Sequence, residues 1–334
     1  MKRRHFISSA TAALAGGGSY FASSISSLAK ASDYQISLAQ WSQHRALKGG
    51  TLDNLDWPSY VKKHFDINAL EWVNQFFAEK QPNLGKQPNG GDYLAQMKKR
   101  CDDNGVKTLL IMCDGVGNLG DPDDKRRNFA VEGHYAWLEA SKFLGGHSIR
   151  VNAASNPKLP WDEQVKLCAD GLRRLSEKAA TMGLNVIVEN HGGFSSNGAW
   201  LSEVMKTVDL PNCGTLPDFG NFYVAKNRGN EEQFAAARAL YDSDEYTVTE
   251  KGIEYDRYLG VKQLMPFAKG VSAKSHDFNE AGDEVNTDFK KMMEIVKASG
   301  YTGYVGIEYE GKELPEDEGI LATKKLLERV FAEI

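Results

Sequence analysis

Four short segments in the second half of the chain decide its fold: NVIVENHGG (185–193), GTLPDFGNF (214–222), GVSAKSHDF (270–278) and YVGIEYEG (304–311). Each is an apolar or β-rich run, as is typical of a short buried strand. Each run has its first strongly coordinating side chain at its C-terminal end; in chain order these are Glu189, Asp218, His276 and Glu308. Two glutamates, an aspartate and a histidine, each from its own strand, are what one divalent ion at the mouth of a barrel would require.

The chain upstream of these segments shows the same alternation of strand-like and helix-like stretches. Four more strand-like runs lie at 34–41, 66–73, 106–113 and 147–154. The clearest helical patterns lie at 91–104, 122–143, 161–182, 286–299 and 317–333. Eight strands alternating with about eight helices predict an α/β fold, a single (β/α)₈ TIM barrel over 32–334. An open doubly wound sheet is the main alternative, but residues 40–50 lack the G-x-G-x-x-G turn that it would place after the first strand.

The first 31 residues have the composition of an export signal. A basic start with Arg3-Arg4 precedes a weakly apolar Ala/Gly/Ser stretch, and Ala29-Lys30-Ala31 matches an A-x-A cleavage site. The arginine pair resembles the twin-arginine signal, which predicts export by the twin-arginine machinery and a periplasmic location. No later segment has eighteen unbroken apolar residues, so we predict no membrane span after processing.

Composition narrows the classes of partner. Residues 1–31 hold four basic and no acidic residues, so their removal takes the net charge from −5 to −9. A nucleic-acid partner would need a basic face and is disfavoured. The four cysteines, Cys101, Cys113, Cys168 and Cys213, have no CxxC or CxxH spacing, and we interpret them as scattered buried thiols. The sequence leaves open whether the chain forms a homo-oligomer.

The alternation of side chains along a strand predicts which residues share a face. Glu189 and His191 share one face, as do Lys274 and His276, and Glu308 and Glu310. In a TIM barrel the reactive face lies at the C-terminal ends of the strands. Three carboxylates with a neutral imidazole suit one divalent ion, Mn²⁺ first, with Co²⁺, Fe²⁺, Mg²⁺ or Zn²⁺ as alternatives.

The strings ENHGG, DFGN, AKSHDF and IEYEG, with Glu, Asp, His and Glu in this order, resemble the sugar isomerase/epimerase superfamily of xylose isomerase-like barrels. The resemblance spans roughly residues 34–333. It implies metal-dependent proton transfer at a carbon next to a carbonyl group, through an enediolate. It also implies that Glu189, Asp218, His276 and Glu308 bind the metal, and that Glu189 and Glu308 move protons.

This chain departs from the epimerase pattern at two substrate contacts. Asn221 stands where the epimerases carry a histidine, and Gly282 stands where they carry an arginine. Lys274, two residues before His276, is a third catalytic candidate beside Glu189 and Glu308, because it could bond a substrate oxygen or move a proton. The candidates for substrate binding are His191, Asn152, Asn221, Glu71 and Glu310.

We therefore predict a metal-dependent sugar isomerase or epimerase that acts on a carbohydrate or polyol. One alternative is a metal-dependent lyase that cleaves or dehydrates a keto-sugar or keto-glycoside, since the same acidified C–H bond could expel a leaving group. A second alternative is an exported sugar-binding barrel without catalysis. An endonuclease of the same superfamily would need a basic groove and more histidines than the chain offers.

Overall fold

The apolar runs of the sequence form eight parallel strands of one sheet in a computed structural model, which describes residues 34–80, 91–241 and 243–334. The predicted signal at 1–31 lies outside the described residues. In chain order the strands are β1 Tyr34–Ala39, β2 Ala69–Val73, β3 Lys107–Met112, β4 Ser148–Asn152, β5 Asn185–Glu189, β6 Cys213–Leu216, β7 Tyr223–Lys226, β8 Tyr246–Val248, β9 Gly252–Tyr255, β10 Val271–Ser275 and β11 Gly303–Tyr309. Of these, β7, β8 and β9 form a second, smaller sheet.

Helices follow the strands in an alternating order, as the sequence predicts. They are α1 His44–Lys48, α2 Trp57–Phe65, α3 Gly91–Asp103, α4 Asp124–Gly133, α5 Tyr135–Leu144, α6 Trp161–Ala180, α7 Gly198–Val208, α8 Glu231–Leu240, α9 Arg257–Leu264, α10 Phe289–Ala298 and α11 Glu316–Glu333. Several begin at a side-chain cap; the Asp288 carboxylate, for example, accepts a hydrogen bond from the backbone N–H of Lys291. Such a cap stabilises a helix because it satisfies an N–H group that has no partner within the helix.

The large sheet runs in the order β10-β11-β1-β2-β3-β4-β5-β6, with all neighbours parallel. Backbone hydrogen bonds then join its two edges: Ser272 N–H donates to Pro217 O at 2.9 Å, and Phe219 N–H donates to Ser272 O at 3.0 Å. The sheet is thus a nearly closed barrel. The prediction of an α/β TIM barrel is confirmed.

The interior of the barrel changes from apolar to charged along β5 and just beyond β6. Deeper in the barrel, Ile187 and Leu216 belong to a buried apolar cluster with Ala39, Val73 and Met112. Two residues further along β5, and two residues beyond Leu216, the inward side chains are carboxylates. Because inward positions recur every second residue, the same alternation that fills the core also brings Glu189 and Asp218 to the C-terminal mouth.

Two parts of the chain differ from the sequence prediction. The helix predicted at 122–143 is broken at His134 into α4 and α5. The segment after β6 contains an antiparallel sheet in the order β7-β9-β8, which the sequence did not predict. These three short strands carry many polar residues, so their hydrophobic pattern is weak.

Two further predictions concern cysteines and membranes. Cys101, Cys113, Cys168 and Cys213 are all buried free thiols, as interpreted from their spacing. Within the described part of the chain, none of the helices combines the length and the apolar character that a bilayer crossing demands.

Candidate metal centre and active site

Three carboxylates meet at the C-terminal mouth of the barrel. Glu189, Asp218 and Glu308 each offer one oxygen, and these oxygens lie within 4.8 Å of one another. Their side chains are buried, with 0%, 0% and 3% exposure. Because burying several like charges is unfavourable, such a cluster needs cations or protons to compensate it.

Ser272 on β10 lies beside two of these carboxylates. Its hydroxyl group is 2.7 Å from Asp218 Oδ2 and 3.3 Å from Glu308 Oε2. The strand register explains this position, because Ser272 pairs with Asp218 on one side and with Gly306, two residues before Glu308, on the other. The inward residue of β10 beside Asp218 is therefore a serine.

Lys274 is the next inward residue on β10, and its ammonium group lies within the acidic cluster. The Nζ atom is 3.1 Å from Glu308 Oε1 and 2.7 Å from Glu310 Oε1. Although burial opposes the charged form, Asp218, Glu308 and Glu310 hold the pKa of Lys274 well above its ordinary value. Lys274 is a buried ammonium group whose charged form these three carboxylates favour.

Arg150 on β4 compensates the opposite side of the cluster. Its Nε atom lies 2.8 Å from Glu189 Oε2, and its guanidinium group also contacts Asp114 at 2.7 Å. Sequence reasoning missed both residues. A signal was present, since Arg150 is a charged residue inside the strand-like run HSIRVNAA and needs a buried partner there.

Two asparagines of the predicted substrate set hold the carboxylates in place. Asn221 donates from Nδ2 to Glu189 Oε1 at 2.9 Å, and its backbone N–H donates to Asp218 Oδ1 at 2.8 Å. Asn152 donates from Nδ2 to Asp114 Oδ1 at 2.9 Å. Both side chains therefore position charged groups of the site.

The structure does not bring His276 into the three-carboxylate group. Strand β10 ends at Ser275, so the alternation expected to place His276 on the same face as Lys274 does not extend to it. His276 is the first residue after the strand, and its Nδ1 atom lies 3.9 Å from Glu284 Oε1. Its assignment as a metal ligand has no support in this geometry.

Glu71, a predicted substrate-binding residue, lies away from the C-terminal mouth of the barrel. It is the middle residue of β2 rather than its end, because the strand continues to Val73. Its Oε1 atom accepts a hydrogen bond from Ser37 Oγ at 2.6 Å, and it borders a cavity together with His147, Lys269 and Tyr301. It does not line the mouth cavity, and its role in substrate binding stays a prediction.

The mouth of the barrel contains a cavity of about 400 Å³. This volume lies in the range of roughly 300–1,000 Å³ that is common for small-molecule sites. Its polar and charged lining includes the predicted residues His191, Asn221, Lys274, Glu308 and Glu310, together with Trp41, Asp114, Arg150, Tyr223 and Lys226. Glu308, a member of the acidic cluster, thus forms part of the cavity wall.

The two fixed cations do not fully compensate the acids. Burial raises the pKa of Asp218 to about 6 and the pKa of Glu308 well above its usual range, although Lys274 opposes both shifts. For Glu310 burial acts in the same direction, but the adjacent Lys274 lowers the pKa to about 2. Burial is the largest cause of both raised pKa values, and the neighbouring Glu189 carboxylate adds to each. Three buried carboxylates with two cations leave an excess of negative charge, and a bound divalent cation would relieve it.

A parallel barrel with acids and bases around a mouth cavity defines a small-molecule enzyme site. A family model described as "Xylose isomerase-like TIM barrel" matches residues 67–330. The chain belongs to this family.

Comparison with individual proteins agrees with the fold. Inosose dehydratase of Geobacillus thermodenitrificans is 26% identical over 162 residues, which are 45% of this chain and 48% of that protein. The chain thus matches about half the length of this relative. The crystal structure of 3-keto-D-glucoside 4-epimerase from E. coli superposes with a TM-score of 0.60 at 16% identity, covering 89% of this chain and 99% of that one.

A third similar protein has a structure described with a metal ion. The structure of IolI, described with a binding zinc atom, superposes with a TM-score of 0.63 at 16% identity and covers 90% of this chain and 98% of that one. The buried triad of Glu189, Asp218 and Glu308 in the present chain fits a divalent ion by its donor chemistry and its uncompensated charge.

Proposed function

We propose that this protein is a carbohydrate-modifying enzyme of the isomerase/epimerase type, which moves a proton at a carbon next to a carbonyl group. The observation that carries the proposal is the convergence of Glu189, Asp218 and Glu308 at the barrel mouth, where Glu308 lines a cavity large enough for a small molecule. The sugar-acting proteins of similar fold support a carbohydrate or polyol as the substrate class.

Glu189 and Glu308 form the proposed proton-transfer pair. Arg150 and Asn221 hold Glu189 on one side, and Lys274 and Ser272 contact Glu308 on the other. Because each carboxylate is fixed by two neighbours, one can remove a proton from a substrate carbon and the other can return a proton to it. A divalent ion held by the triad would polarise the carbonyl and hydroxyl oxygens next to that carbon.

Lys274 has a second part in this proposal. It lines the cavity, and the neighbouring carboxylates favour its charged form. A charged donor at this place stabilises negative charge that develops on a substrate oxygen during proton removal. His191 also lines the cavity and offers a ring nitrogen to a substrate hydroxyl group.

A lyase acting on a keto-glycoside is the second candidate, and one feature of the surface favours it. A groove of about 610 Å³ adjoins the mouth cavity and shares His191, Gly192, Tyr223 and Lys226 with it. The groove provides space for a group attached to the sugar. In a lyase, proton removal by the same carboxylate would be followed by departure of that group.

Hydrogen exchange with deuterated water tests both candidates. The full chain, supplied with Mn²⁺, is incubated with a panel of free sugars and keto-glycosides, and deuterium incorporation and products are followed by NMR and mass spectrometry. We expect exchange at a carbon next to the carbonyl of at least one compound, with an epimer or isomer as the product. Release of the attached group instead indicates the lyase.

A matched pair of variants connects the exchange to the site. Glu189→Gln should lower its rate at least ~100-fold, in line with the contribution of a general base. Glu294→Gln changes an exposed glutamate on α10 and should leave the rate unchanged. Absence of exchange and of products across the panel would refute the proposal and favour a sugar-binding barrel.

We further propose that the protein is exported through the twin-arginine machinery to the periplasm. The support is the sequence of residues 1–31 alone. Replacing Arg3 and Arg4 by lysine should retain the protein in the cytoplasmic fraction of a host that has this machinery. Unchanged export of the double variant would contradict this route.

A further inference from the structure

Side-chain contacts define a ring of four inward positions around the carboxylates. Glu189 on β5, Asp218 after β6 and Glu308 on β11 occupy three of them, and Ser272 on β10, which pairs with Asp218 and touches both Asp218 and Glu308 with its hydroxyl group, occupies the fourth. The Ser272 hydroxyl group is a neutral donor within 2.7 Å of Asp218 and 3.3 Å of Glu308. A nitrogen ligand from β10 is therefore missing at this level of the ring.

Lys274, the next inward residue after Ser272 on β10, adds a positive charge beside the ring. Lys274 Nζ lies 3.1 Å from Glu308 Oε1, a distance at which it competes with a metal ion for that oxygen. The lysine stem packs beside Gly220, where an added Cβ atom would lie 3.0 Å from Lys274 Cδ. Because the stem is confined and the ammonium group also pairs with Glu310 at 2.7 Å, Lys274 is held in this position.

We propose that this chain has an all-oxygen metal site made of Glu189, Asp218 and Glu308, in which Ser272 fills the fourth ring position and Lys274 competes with the ion for Glu308. Oxygen donors without imidazole suit hard ions such as Mn²⁺ and Mg²⁺. The site is the one used in the proposed function. Its test is metal affinity, so the metal proposal and the proton-transfer proposal can fail separately.

The competing cation has a chemical consequence. A buried ammonium group repels a divalent ion, and in a medium of low dielectric constant this repulsion is strong. The ion is consequently bound less tightly than three buried carboxylates alone would bind it. His276 contributes nothing to affinity in this arrangement, since it lies beyond the end of β10.

Titration of the full chain with Mn²⁺, followed by electron paramagnetic resonance of the free aquo ion, measures the affinity directly. We expect one site per chain in the wild type. Lys274→Met keeps the length of the side chain without its charge and should lower Kd at least tenfold. Lys98→Met, which removes an exposed lysine on α3, should leave Kd within twofold.

Two more variants identify the ligands. Asp218→Asn should raise Kd at least 100-fold, whereas His276→Ala should leave it within twofold. These two do not depend on the folding of Lys274→Met, which circular dichroism and thermal unfolding check. Lys274→Arg retains the charge and should not tighten binding.

Three results would overturn the proposal. An unchanged or higher Kd in folded Lys274→Met would exclude competition by Lys274. A rise of tenfold or more in His276→Ala would make His276 a ligand after all. Failure of both the wild type and Lys274→Met to bind Mn²⁺ at millimolar concentration would show that the triad does not hold a divalent ion.

Discussion

The barrel buries acidic side chains in two regions, and these side chains have different neighbours in each. At the mouth, Glu189, Asp218 and Glu308 lie together and have Arg150 and Lys274 as charged neighbours. Deeper in the barrel, Glu71 is buried at 2% exposure with one hydroxyl donor, Ser37 Oγ. Its Oε2 atom has no hydrogen-bond partner among the described residues.

The two regions differ in the cations that face the buried acids. Burial raises the pKa of Glu71 to about 7, so this side chain can be accommodated as a neutral acid. The mouth cluster instead has two fixed cations and still retains excess negative charge. Because buried ion pairs contribute little net stability, this arrangement points to function rather than to folding.

The largest stability effect should follow from removing the cation at the mouth. Arg150→Met leaves Glu189 and Asp114 buried without their common partner, and it should lower the free energy of unfolding by about 3–5 kcal/mol. Urea unfolding at pH 7 measures the change. Arg126→Met removes an exposed arginine paired with Asp121 and should cost less than about 1 kcal/mol. Equal effects of the two substitutions would contradict the assigned role of Arg150.

Glu71→Gln should change how stability depends on pH. The folded-state pKa of Glu71 is raised from 4.5 to about 7, so its contribution to stability is fully present below about pH 4.5 and is lost as the pH rises through 7. The variant lacks this loss. Its free energy of unfolding relative to the wild type should therefore increase by up to about 3 kcal/mol between pH 4.5 and pH 8.

Unfolding of both proteins by urea at several pH values provides the comparison. A difference that stays constant from pH 4.5 to pH 8 would show that Glu71 does not titrate in this range. A difference that decreases with pH would show that its carboxylate is better stabilised than the contacts of the side chain indicate.

A smaller effect on stability is expected at Gly306, where the absence of a side chain leaves space for Glu71. A Cβ atom at Gly306 would lie 2.4 Å from Glu71 Oε1, so Gly306→Ala should destabilise the protein by about 1–2 kcal/mol. The same substitution in a Glu71→Ala background should cost much less. Thermal unfolding of the two single variants and the double variant measures the coupling, and additive effects would exclude this contact as the cause.

The sequence was sufficient to predict the barrel and the carboxylate triad. Short apolar runs, each ending in an acid, place Glu189, Asp218 and Glu308 at the mouth because the C-terminal ends of parallel strands meet there. A sequence pattern predicts the presence of a strand more reliably than the residue at which the strand ends. Strand β10 ends at Ser275, so the predicted alternation does not reach His276. Ser272 lies beside the carboxylates instead.

Other features of the site could not be inferred from local patterns. Arg150 contacts Asp114 and Glu189, which are 36 and 39 positions away along the chain, and only the pairing of β3, β4 and β5 in the sheet brings the three together. The sheet of β7, β8 and β9 has short strands with polar residues, and it forms through long-range pairing. Tyr223 and Lys226 on β7 line the mouth cavity for this reason.

The central claim is that the mouth carboxylates, and not buried acids in general, carry out proton transfer. The most direct measurement compares Glu308→Gln with Glu71→Gln, two identical substitutions of buried glutamates on barrel strands, in the rate of deuterium exchange into a substrate of the wild type. We predict a loss of at least ~100-fold for Glu308→Gln and a change of less than ~3-fold for Glu71→Gln. Similar rates in the two variants, both folded, would contradict the account.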